Sequence, residues 1–550
     1  MIKSAVPIMF WLFLIAAPAA SAAQVQKCEL LDIEDGKQLG SFQAFVASEK
    51  KSDTDIERYR LLGAYTVQKY SSDLVQTLRG LVAIPTVKNE DQPQHENPAT
   101  LQFGKAVEAI AEKFKLTYRN VDNRIFEVIL RGTGAEELGV FTHGDIVPFD
   151  PAKWVLNDGR RLDPLKLTII GNRMYGRGSR DDKASIVAAL FAMGAIKREG
   201  MPLKRTIRLM IESTEETGGS ATEYYKKRHK LPPYNVVLDG RYPVGVAEKG
   251  FGVVRAKFPV RTATGRGVEI ISATGGRALN KIPSQTQTEI LTENPEALKK
   301  QLDDLAAKYV AANGANFKIQ TKAYKNKVTM TVIGEAAHSA SPQRGINPVS
   351  RQFDFLHQAG KKIEFKRNHF TDAASYVSEN WGLDYHGNKL GVAYADPFMG
   401  PLTAVVTYVK IKNGALHLVV NPRAPRGKEP EQLIAEIRRG LSAWQKRTRS
   451  AVDISIKIKR YMYRNPKGPW IEALLDTFQR ITGIKAKPRS SSGYTTARQL
   501  PNGVQFGPGV PGEKSTAHKA NEFKKCNNFA NDVKIITMMM LRLGNLDSME

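Results

Sequence analysis

Between residues 124 and 240, short apolar runs alternate with amphipathic stretches. RIFEVIL (124–130) and LGVFTHGD (138–145) have the β-branched and aromatic density of strands. KASIVAALFAMGAIKREG (183–200) reads as a helix, TIRLMIES (206–213) as a strand, TEYYKKRHK (222–230) as a helix, and YNVVLDG (234–240) as another strand. This order predicts an α/β fold: a mainly parallel sheet with helices on both faces.

From about residue 250 the period changes. FGVVRAKFPVRTATG, KVTMTVIGEA, TAVVTYVKIK and ALHLVVNPR alternate like hairpin strands and are separated by helical stretches such as NPEALKKQLDDLAAKYVAA. The segment 250–428 is therefore expected to be an inserted α+β lid. The first pattern is expected to resume in 429–550, with the helix PEQLIAEIRRGLSAWQKR, the strand VDISIKIKRY, the helix WIEALLDTFQRITG and a last helix near 528–543. The predicted organisation is a discontinuous catalytic domain (66–249 and 429–550) interrupted by that lid.

The N-terminus differs from both. MIKSAVPIMFWLFLIAAPAASAAQ has a basic residue, an apolar core and a small-x-small site at Ala20-Ser21-Ala22. Residues 1–22 thus read as a cleaved secretory signal, 23–65 as a mixed polar extension, and the product as periplasmic or secreted with no stable membrane anchor. An oxidising compartment would let the two cysteines, Cys28 and Cys526, pair or remain as two thiols. The composition, 42% hydrophobic and 25% charged, excludes a disordered or fibrous chain. A formal charge of +26 suggests an anionic partner, but the lysines and arginines are spread along the chain and match no nucleic-acid-binding motif. Nucleic acid is not an expected partner.

In open parallel sheets, ligands bind beyond the carboxyl ends of the strands, and there the chain places its unusual residues. His143 and Asp145 follow LGVFT, Asp181 and Asp182 follow a Gly-rich turn, Glu215 and Glu216 stand together after TIRLMIES, and Asp239 follows YNVVL. His518 lies in a polar loop before the last helix. Each alone is ordinary: an HxD pair is usually surface polarity, and an aspartate before a helix is usually a cap. Two histidines and several acids at strand ends are together a ligand set for divalent ions, and mixed imidazole and carboxylate favour zinc.

HGDIVP with Trp154 downstream, GRGSRDDK, STEETGG, LDGRYPVGVAEKG, AAHSASPQRGINP and AHKANEF occur in this order. Over about residues 75 to 545 the chain resembles the co-catalytic zinc exopeptidases that include aminoacylase, carboxypeptidase G and succinyl-diaminopimelate desuccinylase, above all the dipeptidase V and carnosinase-like branch. The resemblance implies that His143 and Asp239 hold one metal, Glu216 and His518 the other, and that Asp181 bridges them across a cis Asp181–Asp182 peptide. It further implies that Asp145 orients His143, that Glu215 is the general base, that His338 of the lid stabilises the oxyanion, and that Arg423 grips a substrate carboxylate. By itself Arg423, with Arg426 close by, reads equally well as a surface arginine before a turn. Two departures stand out: Ala184 where the family has glycine, and Ser492-Gly493-Tyr494-Thr495-Thr496-Ala497-Arg498 in place of a GGTYAR-like loop. Neither removes a metal ligand, and the altered loop puts specificity in doubt rather than catalysis.

The expected activity is hydrolysis of dipeptides or short peptides with two divalent ions, zinc foremost and manganese or cobalt as alternatives. The long lid suggests a monomer, with a dimer as the alternative. The rivals are an N-acyl amino-acid deacylase or carboxypeptidase of the same family, and a non-catalytic periplasmic peptide-binding protein.

Overall fold

The computed structural model describes residues 40–49, 54–493 and 495–550. The predicted signal segment, residues 23–39 and 50–53 of the extension, Cys28 among them, and Tyr494 lie outside the described residues. Among the described residues, no helix is long and apolar enough to cross a membrane.

The first layer is a nine-stranded mixed sheet. Its path runs Thr117–Val121, Ile125–Leu130, Thr206–Glu212, Glu137–His143, Tyr234–Val237, Val504–Gln505, Val244–Glu248 and Met462–Tyr463, with Pro488–Ser491 also paired to Val244–Glu248. The four central strands, from Thr206–Glu212 to Val504–Gln505, are parallel, whereas the outer pairings are antiparallel except for Pro488–Ser491. His143 stands opposite Glu212 and Phe141 opposite Val237, so three parallel strands end side by side. The helix Lys183–Arg198 is buried from Lys183 to Ile196 and joins the sheet core, which is why its apolar residues encircle it instead of forming a stripe.

The helix Asp55–Val82 runs straight through the expected boundary at residue 65. Leu62, Tyr65, Leu74 and Leu78 share the core of the catalytic sheet, and Phe42 and Phe45 pack on Tyr65. At Gly63 a Cβ would lie 2.9 Å from the Lys534 backbone, so the absent side chain lets this helix approach Cys526–Asn545. The catalytic core therefore begins before residue 66, at least as early as Phe42.

The second layer is an eight-stranded antiparallel sheet in the order Lys318–Tyr324, Lys327–Ile333, Gln285–Leu291, Glu269–Gly275, Thr403–Lys412, Ala415–Ala424, Gly250–Pro259 and Asp453–Ile458. Gly250–Pro259 alternates buried and half-buried residues, as expected for a sheet covered by helices on one face. The predicted lid boundary at 428 is corrected here. Asp453–Ile458 pairs with Gly250–Pro259, and Leu433, Ile437, Leu441 and Trp444 of helix Pro430–Thr448 bury against the same sheet, so the lid runs to about Ile458.

Candidate active site

Three strand ends and two loops meet above the parallel strands. His143 closes Glu137–His143, where its Nδ1 donates to the main-chain oxygen of Asp145 at 3.0 Å. That tautomer leaves Nε2 facing Oδ1 of Asp181 at 3.1 Å. The other oxygen of Asp181, Oδ2, is 3.0 Å from His518 Nε2, so this one carboxylate lies between the two imidazoles. His518 also meets Oε1 of Glu216 at 2.9 Å. Ligand atoms of His143, Asp181 and Asp239 cluster within 4.8 Å of one another, as do those of Asp181, Glu216 and His518. The two groups share Asp181.

The paired acids of the sequence point different ways. The Asp181–Asp182 peptide is cis. Asp182 is buried and turns inward, accepting hydrogen bonds from Thr142 Oγ1 and Ser185 Oγ, so it is no part of the ligand set. Glu215 and Glu216 begin the 3-10 turn Glu215–Thr217, whose first two N–H groups both donate to the Asp145 carboxylate, at 3.1 and 3.0 Å. That carboxylate is 3% exposed and lies 3.4 Å from His143 Nδ1. The expected orientation of His143 thus comes chiefly through the Asp145 main chain, while the side chain anchors the turn that carries both glutamates.

Burial, and then Asp239, push the Glu215 carboxyl up to about 9. Burial and the neighbouring Asp181 push Asp239 up to about 7. Burial opposes charge on Asp181 and on His143, yet their hydrogen bonds prevail, holding Asp181 well below the usual carboxylate range and His143 well above the usual imidazole one. Hydrogen bonds to Asp181 and Glu216 raise His518 to about 10. Among the described residues neither the Glu215 nor the Asp239 carboxylate accepts a hydrogen bond. Crowded carboxylates without donors, interleaved with two imidazoles, fit a pair of divalent cations, whose charge would offset the repulsion. The donor set is that of zinc and similar ions.

The lid residues gather elsewhere. His338 ends the short strand Ala337–His338, and its Nδ1 accepts from Ala340 N at 3.1 Å. Burial and then Arg423 lower its pKa, and among the described residues no hydrogen bond or ion pair joins it to the ligand cluster. Asn421 Oδ1 links the two lid segments, accepting from Ser339 Oγ at 2.6 Å and from Arg423 Nε at 3.2 Å. Arg423 is 3% exposed, packs over the Phe251 ring and donates to the Ser492 carbonyl at 2.8 Å. Burial lowers its pKa to about 10, and among the described residues it has no carboxylate partner. Its neighbour Arg426 is accounted for by Asp396 at 3.0 Å and by stacking on Tyr463. Of the two arginines, Arg423 is the one left with an uncompensated charge.

The profile of Peptidase family M20/M25/M40 matches residues 139–542, which is most of the chain and spans every residue of the cluster. The chain belongs to this family. A Beta-Ala-Xaa dipeptidase of Lactobacillus delbrueckii subsp. lactis is 27% identical over 399 residues, covering 71% of this chain and 78% of the relative. Human carnosine dipeptidase 1 superposes with a TM-score of 0.51 at 14% identity, covering 90% of this chain and all of that one. The di-peptidase Dug1p of Saccharomyces cerevisiae does so with a TM-score of 0.50 at 12% identity, over 89% and 99%. At these identities the solved structures speak for the fold.

Two buried acids of this M20 chain escaped the sequence reading. Glu248, at the end of strand Val244–Glu248, accepts from Thr495 N at 3.3 Å and Arg498 Nε at 3.1 Å, and also from Thr495 Oγ1 and Gln505 Nε2. It fastens the loop whose Ser492 carbonyl meets Arg423. An acid closing an apolar strand was the visible signal, the same one that marked Asp239. Glu522 lies inside the AHKANEF motif, four residues beyond His518, and nothing in its local sequence distinguishes it from a solvated acid.

Proposed function

We propose that this M20 peptidase is an exported dipeptidase that cleaves the amide bond of unblocked dipeptides with two divalent cations, zinc by preference. The observation that carries this reading is the Asp181 carboxylate, spanned by His143 Nε2 at 3.1 Å and His518 Nε2 at 3.0 Å beside an uncommitted Glu215. In this reading His143 and Asp239 hold one ion, Glu216 and His518 hold the other, and Asp181 serves both. The ions supply Lewis-acid polarisation of the scissile carbonyl and lower the pKa of water toward neutrality.

The chain's own residues supply the rest. Glu215 takes a proton from the attacking water and returns it to the leaving amine, a task suited to a carboxylate held beside both ligand groups by the turn that Asp145 anchors. Asp145 holds Glu215 in place through the backbone of its turn. Arg423 receives the substrate carboxylate, for which a buried guanidinium without an acidic partner is suited. His338, whose lowered pKa keeps it neutral at pH 7, donates an N–H to the developing oxyanion when the lid brings it to the substrate. The dipeptidase names of the relatives support the substrate class. The signal-like N-terminus supports export. The lid is taken to serve its own chain in a monomer, which light scattering checks.

The test is hydrolysis by purified protein, loaded with zinc or manganese, of unblocked dipeptides, N-acetylated amino acids and tripeptides. Preference for dipeptides upholds the reading, and preference for N-acetylated amino acids replaces it with a deacylase. No hydrolysis with metal bound favours a binding protein.

A further inference from the structure

Asp181 and His518 come from loops more than 300 residues apart in sequence, yet one side chain touches the structure of both. Glu522 is fully buried. One of its oxygens, Oε1, accepts from three positions of the loop leading into Asp181: Gly178 N at 3.1 Å, Arg180 N at 3.0 Å and Asp181 N at 3.2 Å. The other, Oε2, accepts from Arg177 Nη1, and Arg177 is itself buried with its guanidinium over the Trp154 ring. The Glu522 main-chain oxygen takes the Gly176 N–H at 3.0 Å, and the strand that follows, Phe523–Lys525, pairs with Arg173–Tyr175. His518 leaves this same anchored segment with a left-handed backbone, φ 62°.

Four donors thus converge on one carboxylate that touches no ligand side chain. Three of them are main-chain N–H groups of the Gly-rich turn, whose acceptor is this one side-chain oxygen rather than another main-chain carbonyl. Without an acceptor at that point the loop would bury unpaired N–H groups, and the direction of the Asp181 side chain would be set by nothing beyond the ion it is meant to hold. Thermodynamically, a ligand that must be ordered at the moment of binding costs affinity that a preordered one keeps.

We propose that Glu522 is a positioning residue for the metal centre: by accepting the N–H groups of Gly178, Arg180 and Asp181 while leading the chain out of the His518 loop, it fixes Asp181 and His518 against each other. This rests on the two-ion reading above. Its specific consequence is an asymmetry. Loss of Glu522 disturbs Asp181, which serves both ions, and His518, which serves only one, so the ion at Glu216 and His518 leaves first.

The test is competition of zinc against a chromophoric chelator, with bound metal counted, for the parent and Glu522→Gln. The amide keeps the shape but turns an N–H2 group toward donors. The expected result is that the weaker of the two ions loses affinity about 10- to 100-fold, so that at limiting zinc the variant holds one ion where the parent holds two. Turnover should then recover as zinc is raised, with KM for the dipeptide near the parental value. A purely structural role would lower the melting temperature and leave these two readouts unmoved. Because Glu522→Gln leaves Arg177 buried and unpaired, the double variant Glu522→Gln with Arg177→Met is measured alongside it. It removes that charge, and the same loss of one ion is expected. Two ions held at parental affinity by a folded variant would overturn the proposal, whereas a parent that binds no ions would overturn the two-ion reading itself.

Discussion

Replacing Asp145 by asparagine removes a charge without changing shape, and it separates the two tasks this residue performs. The carboxylate accepts the N–H groups of Glu215 at 3.1 Å and Glu216 at 3.0 Å, whereas the His143 imidazole is held by the Asp145 main-chain oxygen at 3.0 Å, which asparagine keeps. An amide has one acceptor oxygen, so one bond to the turn survives and the other is replaced by an N–H2 group facing an N–H. Hydrogen bonds to charged acceptors contribute about 1.5–3 kcal/mol each. Losing one, in a site that water scarcely reaches, should cost about 2–3 kcal/mol of the interaction that holds Glu215. If that loss falls on the position of the base, kcat drops roughly 30- to 150-fold at 1.36 kcal/mol per decade. The assay is steady-state dipeptide hydrolysis at saturating zinc, with metal content measured on the same sample. Two ions should remain bound. A kcat within threefold of the parent would refute the anchoring role, and loss of an ion with kcat preserved at high zinc would return Asp145 to the imidazole alone.

Three further outcomes follow from the lid and the core. Arg423→Lys keeps the charge but not the fork that spans a carboxylate, so KM for unblocked dipeptides should rise about tenfold or more while kcat changes little; an unchanged KM would remove Arg423 from the substrate site. Glu248→Gln weakens the buried pairing with Arg498 that holds the loop against Arg423, and should likewise act on KM more than on kcat. Burial lowers the pKa of Lys249 to about 8, below its value in an unfolded chain. Between pH 8 and about 10.4 the unfolded state then binds more protons, so this lysine's penalty is full below pH 8 and fades as pH rises. Urea midpoints of Lys249→Met and the parent should therefore differ most in the mutant's favour near pH 7 and converge by pH 10, and a gap that widens with pH would contradict the assignment.

The parts of the molecule that could be read from sequence were those where local pattern and tertiary role coincide. Apolar runs broken by an acid or a histidine marked strand ends, because a buried parallel strand has nowhere else to put such groups, and His143, Glu216 and Asp239 were found that way. The end of the lid was not found. The helix Pro430–Thr448 is amphipathic, and a stripe of Leu433, Ile437 and Leu441 looks the same whichever sheet it covers. The alternation in DISIKI did carry the information, since a one-sided pattern belongs to the antiparallel lid rather than to a sheet buried on both faces. The mixed polar and helical character before residue 65 does not reveal which sheet the helix packs on, although Leu62, Tyr65, Leu74 and Leu78 face one core. Glu522 is the extreme case: what makes it unlike a surface acid is a loop more than 300 residues away.

The central claim is a division of labour between adjacent glutamates, with Glu215 moving the proton and Glu216 holding an ion beside His518. The most direct measurement counts bound zinc and turnover together in Glu215→Gln, with His518→Ala as the companion. The account predicts that Glu215→Gln keeps two ions and loses about 10²- to 10⁴-fold in kcat, and that His518→Ala loses at least one ion. A Glu215→Gln protein that retains parental turnover, or that sheds an ion as readily as His518→Ala, would contradict it.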